Sequence, residues 1–112
     1  MPLPIIYLEL PSSNIAADKQ FYATLFAWSF KDFGPHYATF HEAGLEGGLN
    51  ATEEGRSKSP LPVLQTDNIE TMERRVVQAG GTITVPTFTF PGGRRFHFTD
   101  LSGNELAVMQ SD

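Results

Sequence analysis

Side chains able to act as acids, bases or ligands occur in segments whose alternation of apolar and polar residues is typical of β-strands. Glu9 is the most unusual of them, because it places a carboxylate in the otherwise apolar run of residues 5–10. His97 alternates with Phe96 and Phe98, whose rings suit the helix-covered side of a sheet. Carboxylates and imidazoles are common general bases and also bind metals. Glu9 and His97 are therefore the candidates for a catalytic role.

The elements that would carry these residues begin with a first group of strands and one helix. Residues 5–10 read as a strand, residues 15–27 as a helix, and residues 43–48 as a glycine-rich return between strands. The polar segment 52–60 contains Gly and Pro and is the best candidate for a linker. We therefore predict a first module over residues 1–51.

The same order of elements returns after the linker. A constant offset along the chain pairs Leu10 with Leu64 and Asn14 with Asn68, so a strand and a helix start recur together. A second module over residues 61–112 would hold a helix and further strands. The sequence thus predicts the α+β class, with two modules that each contain a strand, a helix and three more strands.

Local signals mark the ends of the second helix and the last hairpin. Asp67, followed three residues later by Glu70, resembles a capping box at the start of the helix. Gly80 and Gly81 offer a left-handed backbone at its end. Residues 96–110 read as a closing β-hairpin with its turn between two alternating segments.

Composition limits the range of functions. The 112 residues suit one domain, 1–112, and 40% of them are hydrophobic. A net charge of −5 argues against a nucleic-acid partner, which requires clustered Lys and Arg. The chain has no cysteine, so it has neither disulfides nor thiolate metal ligands. We found neither a signal peptide nor a membrane span in the sequence, and we expect a cytoplasmic protein without a membrane partner.

Three short motifs occur together in this arrangement: Phe21-Tyr22, Ala79-Gly80-Gly81 and the Asp-x-x-Gly-Asn run of residues 100–104. With the two modules, they resemble the vicinal oxygen chelate superfamily, which contains glyoxalases, bleomycin-resistance proteins, fosfomycin-resistance enzymes and extradiol dioxygenases. The resemblance implies two βαβββ modules that form a curved mixed sheet, with the helices on the outer face and a ligand cleft on the concave face. Together with the many aromatic residues, it favours a homodimer.

The resemblance also implies where metal-dependent members place their ligands, on the first and last strands of each module. The corresponding positions here are Tyr7, Gly48, Leu61 and Ala107. Glycine, leucine and alanine offer no donor atom, and a neutral tyrosine is a poor ligand. We therefore predict no metal and no other cofactor. A divalent cation would need a non-standard site built from Glu9, His41 and His97.

Strand parity predicts which side chains face the cleft. With Tyr7 at a ligand position, Glu9 lies on the same face of the first strand. With Ala107 at another ligand position, Met109 lies on the same face of the last strand. Trp28 could form a further wall of the cleft. The predicted ligand-binding residues are Tyr7, Glu9, His41, Gln65, Arg95, His97 and Met109.

Three functions compete for these residues. The favoured one is a cleft that binds a small organic molecule without metal, because such sites combine aromatic walls with a few polar groups. Since the chain is acidic, this ligand could carry a positive charge. The second is a lyase, isomerase or dioxygenase acting on an oxygen-rich small molecule, with Glu9 or His97 as general base. The third is a non-catalytic interaction module in which Glu9 pairs with Arg95 and the histidines are ordinary surface groups.

Overall fold

The computed structural model describes residues 2–53 and 56–112. Over these residues it contains eight β-strands and two α-helices, which confirms the predicted α+β class. Each half of the chain has the order strand, helix and three strands, as the repeat predicts. The chain divides into two compact units, an N-terminal unit of residues 7–61 and a C-terminal unit of residues 1–6 and 62–112.

The first described residues of the chain contact the C-terminal unit. The backbone N–H of Gln65 donates to the carbonyl of Pro4 at 3.2 Å, and Leu3 packs against the core of that unit. In the predicted linker 52–60, the described residues form neither helix nor strand, and residues 54 and 55 lie outside the described part of the chain.

Four strands of the first half form a mixed sheet. The elements of this half are β1 (Ile5–Pro11), α1 (Ile15–Phe26), β2 (Ser29–Asp32), β3 (Tyr37–His41) and β4 (Gly47–Asn50). The strand order is β2, β3, β4, β1, with β1 and β4 parallel and the other pairs antiparallel. Glu9 and Thr39 both lie opposite Gly48, and Tyr37 lies opposite Asn50. Because residues two apart share a face, these five residues lie on one side of the sheet.

Helix α1 lies on the other side of this sheet. Phe40 is buried there, and the ring of Trp28 lies 4.8 Å from it. Trp28 in turn stacks on Tyr22 of α1 at 5.0 Å. Phe40 and Thr39 are adjacent residues of β3, so their side chains point to opposite faces of the sheet. Trp28 contacts Phe40 and therefore lies on the helix side. This contradicts the prediction that Trp28 forms a wall of the cleft.

The second half repeats the arrangement. Its elements are β5 (Leu61–Gln65), α2 (Ile69–Gln78), β6 (Thr82–Phe90), β7 (Gly93–Thr99) and β8 (Glu105–Ser111). The strand order is β5, β8, β7, β6, with only β5 and β8 parallel among the described pairs. Ile69, Phe96 and Val108 form a buried core with Phe98 packed against it. The prediction that the two phenylalanines face the helix is therefore confirmed.

The register of these strands produces two rows of side chains on the face opposite the core. Val63, Ala107 and His97 are directly paired across β5, β8 and β7. Gln65, Met109 and Arg95 form the next row. Directly paired residues share a face, so the parity predicted for Gln65, Arg95, His97 and Met109 is confirmed.

Two local predictions need correction. The N-cap of α2 is Asn68 and not Asp67, because the Asn68 side chain accepts the N–H of Thr71 at 3.2 Å. Strand β4 begins at Gly47, so the glycine-rich return is shorter than the predicted segment 43–48. Strand β6 is continuous through Pro86, with two irregularities in its pairing to β7.

Side-chain caps and left-handed backbone conformations determine where the helices begin and end. Helix α1 starts at Asn14, whose side chain accepts the N–H of Ala17 at 3.1 Å, and it ends at Ala27 in the left-handed conformation. Helix α2 ends as predicted with Gly80 at φ +100°, and the N–H of Gly81 donates to the carbonyl of Val76. Among the residues that the structure describes, neither helix is long and apolar enough to cross a membrane.

Candidate functional site

A hydrogen-bonded cluster surrounds Glu9 in the N-terminal unit. Glu9 is only 4% exposed. Tyr37 donates its hydroxyl proton to Glu9 Oε2 at 2.9 Å, and Asn50 Nδ2 donates to Oε1 at 3.1 Å. The hydroxyl oxygens of Tyr7 and Tyr37 lie 2.6 Å apart. Since the Tyr37 proton is directed at Glu9, Tyr7 donates to Tyr37. We call Tyr7, Glu9, Tyr37 and Asn50 the Glu9 cluster.

Gly48 makes room for this cluster. It lies opposite Glu9 in the sheet and carries no side chain. A Cβ atom at this position would lie 2.7 Å from the Tyr7 hydroxyl and 2.8 Å from both Oη and Cε1 of Tyr37. Real Cβ atoms do not approach other heavy atoms this closely, so the two phenols occupy the space that a side chain would need.

The orientation of Asn50 is held by Thr52. The backbone N–H of Thr52 donates to Asn50 Oδ1 at 3.0 Å, and the Thr52 hydroxyl donates to the same oxygen at 2.6 Å. An oxygen that accepts two protons identifies the other end of the amide as the donor. The amide nitrogen therefore points to Glu9.

Burial and charge keep Tyr37 neutral. Removal from water raises the pKa of Tyr37 far above its usual range, and the negative charge of Glu9 and the hydrogen bond with Tyr7 raise it further. The neutral phenol therefore remains a hydrogen-bond donor at neutral pH. The Glu9 carboxylate is thus held by two donors from its own unit, Tyr37 and Asn50.

A second group of predicted residues lies in the C-terminal unit around His97. This side chain is 1% exposed, and its Nδ1 lies 3.3 Å from Glu105 Oε2. Because a carboxylate oxygen only accepts, Nδ1 carries the proton. Glu105 also accepts the hydroxyl of Thr84 at 3.2 Å, and the ring of Phe88 lies 5.9 Å from the imidazole.

Arg95 lies on the same face, one row along the sheet. Its guanidinium carbon is 5.6 Å from the ring centroid of Phe88 and 5.5 Å from that of Phe90. Cation–π attraction of this kind favours a guanidinium that lies against the two rings. Met109 of β8 is paired with Arg95 of β7 on one side and with Gln65 of β5 on the other. The Nε2 of Gln65 donates to the hydroxyl of Ser111 at 3.2 Å.

The structure thus brings predicted residues together within each unit. In the N-terminal unit, Tyr7 and Glu9 belong to one cluster, whereas His41 is exposed and its Nε2 lies 3.0 Å from the Thr39 hydroxyl. His41 therefore lies outside the Glu9 cluster. In the C-terminal unit, the four predicted residues lie in adjacent rows: Gln65, Arg95, His97 and Met109.

Strand parity selected Tyr37 for the cleft face without pairing it with Glu9, and Asn50 was not found from the sequence. Nothing local marks Tyr37 as a partner of Glu9. Asn50 could have been found from its position two residues after Gly48, had β4 been predicted through the glycines. In the C-terminal unit, Glu105 is the partner of His97 that the sequence did not identify.

The residues at the family's ligand positions do not fit a divalent cation. Gly48, Leu61 and Ala107 have no side-chain donor atom, and the hydroxyl of Tyr7 is hydrogen-bonded to Tyr37. Within residues 2–53 and 56–112, no three His, Asp or Glu side chains are grouped in a way that could hold a metal ion.

Comparisons with known proteins agree with this fold. The sequence model of the Glyoxalase/Bleomycin resistance protein/Dioxygenase superfamily matches residues 5–108. No curated protein matches the chain by sequence.

Solved structures provide the second comparison. A protein from Legionella pneumophila, described as an NAD-dependent benzaldehyde dehydrogenase, superposes with a TM-score of 0.76 at 20% identity, covering 95% of this chain and 98% of that one. A glyoxalase/bleomycin resistance protein/dioxygenase superfamily member from Vibrio splendidus 12B01 has a TM-score of 0.73 at 14% identity, covering 98% and 100%.

A metal-bound relative resembles the chain over part of its length. The Mn(II)-bound glyoxalase from Novosphingobium aromaticivorans has a TM-score of 0.61 at 18% identity, and the match covers 96% of this chain but 38% of that one. Likeness at these identities concerns the fold. Because the superfamily's sequence model spans almost the entire chain, this protein belongs to the glyoxalase/bleomycin resistance protein/dioxygenase superfamily.

Proposed function

We propose that this protein binds a small organic molecule at the sheet face that carries the Glu9 cluster, without metal ligands at the superfamily's usual positions. One observation carries the proposal: a carboxylate that is 4% exposed is held by two neutral donors beside Gly48. Withdrawing a carboxylate from water costs several kcal/mol unless it is compensated, and such groups concentrate at functional sites.

The chemistry of the proposed ligand follows from the side chains on these faces. Small-molecule sites combine flat apolar walls with a few fixed polar groups. The tyrosines of the Glu9 cluster supply both. The corresponding face of the C-terminal unit carries its own polar and apolar groups: Arg95, His97, Gln65 and Met109. We therefore expect a planar or oxygen-bearing organic molecule that exchanges hydrogen bonds with phenol and carboxylate groups.

The first experiment is a thermal-shift screen of the purified protein. Organic acids, phenols and amines form one panel, and Zn²⁺, Ni²⁺, Mn²⁺ and Fe²⁺ form a separate one. A compound at about 100 times its Kd adds about 2.7 kcal/mol to the free energy of unfolding, which raises the Tm of a domain of this size by roughly 10 °C. We expect a compound from the organic panel to do so and none of the four metals.

Variants then connect the binding to the cluster. Glu9→Gln and Tyr37→Phe each remove a charge-assisted hydrogen bond and should weaken the compound's affinity about tenfold or more. Ser29→Ala is the matched control, because it removes an exposed hydroxyl that donates to the carboxylate of Glu42 at 3.1 Å. A stoichiometric metal in elemental analysis, or an affinity that does not change in Glu9→Gln, would overturn the proposal.

A further inference from the structure

We propose that an open depression of the C-terminal unit is a second binding site, which takes a free α-amino acid as its zwitterion. The depression has a volume of about 350 Å³. Its walls combine two apolar residues, Pro2 and Leu3, one carboxylate, Asp67, and four neutral hydrogen-bonding side chains. A ligand bound here would use none of the contacts of the Glu9 cluster. We call it the Gln110 depression, after the neutral side chain with the most fixed orientation.

The amide of Gln110 supplies two protons at this site. Its Oε1 accepts the backbone N–H of Ile69 at 2.9 Å and a guanidinium N–H of Arg94 at 3.4 Å. An amide oxygen that accepts two protons fixes which end of the amide is the oxygen and which is the nitrogen. The nitrogen, which only donates, is therefore the end that remains for a ligand.

The three other neutral side chains also have a proton to donate. The hydroxyl oxygen of Ser111 accepts from Gln65 Nε2 at 3.2 Å, and Thr66 Oγ1 accepts the backbone N–H of Asn68 at 3.2 Å. A hydroxyl that accepts a proton still carries its own, and a primary amide nitrogen carries two. The bonds among the described residues thus make donors of all four neutral side chains. A carboxylate, which only accepts, is the complementary ligand group.

Charge selects a zwitterion over a simple anion. Among the described residues that line the depression, Asp67 is the charged one, and it is exposed. Its carboxylate and the net charge of −5 on the chain both disfavour a ligand with net negative charge. An α-amino acid has a carboxylate for the donors, an ammonium group for Asp67 and no net charge. Pro2 and Leu3 provide apolar contacts for an aliphatic side chain, so leucine is the appropriate probe.

The walls of the depression are held by backbone hydrogen bonds. The N–H of Thr66 donates to the carbonyl of Met109 at 2.8 Å, which joins the end of β5 to β8. The N–H of Gln65 donates to the carbonyl of Pro4 at 3.2 Å, which fixes the chain next to the apolar wall. The donors are therefore largely in place before a ligand binds, which lowers the entropic cost of binding.

NMR titration of the isotope-labelled full chain with leucine tests the proposal. We expect saturable shifts of the side-chain amides of Gln65 and Gln110 and of the backbone amides of Thr66 and Ser111. The dissociation constant should be on the order of 1 mM, because an open depression buries only part of a small ligand. Isocaproate lacks the ammonium group and isopentylamine lacks the carboxylate, so each should bind at least tenfold more weakly. Shifts that do not saturate with leucine at about 50 mM, or isocaproate that binds as tightly as leucine, would overturn the proposal.

Gln110→Glu tests the donor set without removing the acceptor at this position. The new carboxylate can still accept the N–H of Ile69, but it has no proton for the ligand. We expect the dissociation constant for leucine to rise at least tenfold. Gln78→Glu is the matched control, because it makes the same change at an exposed position of α2 outside the depression. Equal effects of the two variants would contradict the proposal.

Two further variants separate the donors from the carboxylate. Ser111→Ala removes a donor at an exposed position away from α2, and it should weaken leucine binding about threefold or more. Asp67→Asn should weaken the binding of leucine but not that of isocaproate, which has no ammonium group. The same amide spectra show whether each variant is folded. Leucine binding that is unchanged in both variants, or shifts confined to residues 7–61, would overturn the assignment to this depression.

Discussion

At the scale of single residues, Gly48 shows how an absent side chain shapes the site. The family resemblance assigns a metal-ligand position to this residue, but the adjoining volume is filled by the phenols of Tyr7 and Tyr37. The two hydroxyls are hydrogen-bonded to each other and, through Tyr37, to Glu9. The two tyrosines therefore fit only because residue 48 is a glycine, and a larger residue at position 48 would require the tyrosines to move or change.

Gly48→Ala tests this dependence. The new Cβ would press on the two phenols, and overpacking of this kind costs about 1 to 3 kcal/mol of unfolding free energy. We expect a smaller loss when Gly48→Ala is combined with Tyr7→Phe and Tyr37→Phe, which remove two of the three closest atoms. Urea denaturation of the wild type, Gly48→Ala, the double Phe variant and the triple variant measures both effects. Equal losses in the two backgrounds would show that the phenols do not limit this position.

A pH-dependent stability follows from Tyr37. Its folded-state pKa lies above the value of 10.0 that it has when unfolded, because burial and Glu9 disfavour the phenolate. The stabilisation is therefore complete below pH 10 and is lost as the pH rises above it. Above pH 10 we expect the wild-type unfolding free energy to fall about 1.4 kcal/mol more per pH unit than that of Tyr37→Phe.

Urea denaturation between pH 8 and 11.5 measures this difference. Ser29→Ala is again a suitable control, since it removes a hydroxyl bonded to a carboxylate but no titrating group. Parallel curves for the wild type and Tyr37→Phe would mean that Tyr37 ionises as readily in the folded protein as in the unfolded one.

At the scale of elements, the two helices start in equivalent ways. Asn14 and Asn68 each accept a backbone N–H three residues further along the chain. The repeat pairs these two asparagines, whereas the capping-box pattern predicted Asp67 as the cap of α2. The adjacent residue, Asn68, takes this role because its backbone is non-helical, with φ −149° and ψ 84°, while its amide oxygen reaches the first turn.

Substitution of the two neighbours distinguishes the cap from its flank. Asn68→Ala removes the acceptor for the Thr71 N–H and should cost about 0.5 to 2 kcal/mol of unfolding free energy. Asp67→Ala changes an exposed side chain outside the helix and should cost less than half as much. Thermal and urea unfolding of both variants provides the comparison. A larger loss for Asp67→Ala would restore the capping box that the sequence suggested.

At the scale of the whole molecule, net charge controls how copies of the chain meet. Two chains of charge −5 with centres about 30 Å apart repel each other, and salt screens this repulsion. Between 10 and 100 mM NaCl the Debye length falls from about 30 Å to about 10 Å, which removes about 1 kcal/mol of repulsion. An interface of uncharged residues has no ion pairs that the same salt would weaken.

Self-association of the chain into the expected homodimer should therefore tighten with salt. We expect the dissociation constant to fall about sixfold between 10 and 100 mM NaCl. Sedimentation at both salt concentrations measures the change. An association that weakens with salt would indicate attractive charges across the interface.

The sequence by itself determined the class of the fold, the two modules and the faces of their strands. Alternation along a strand and spacing along a helix are local properties, because the backbone sets their periods. Parity alone therefore placed Phe96 on the helix side and His97 on the other. The turn before β8 is equally local, since Asp100 accepts the N–H groups of Ser102 and Asn104 within a few residues.

Only the tertiary structure decided which side chains meet. Tyr37 and Asn50 are far from Glu9 in the sequence, and they reach it because β4 lies between β1 and β3. The pairing of His97 with Glu105 depends in the same way on the register of two strands. Strand order and register arise from long-range packing, which no local period specifies. The partners of the predicted site residues could therefore be found only in the folded chain.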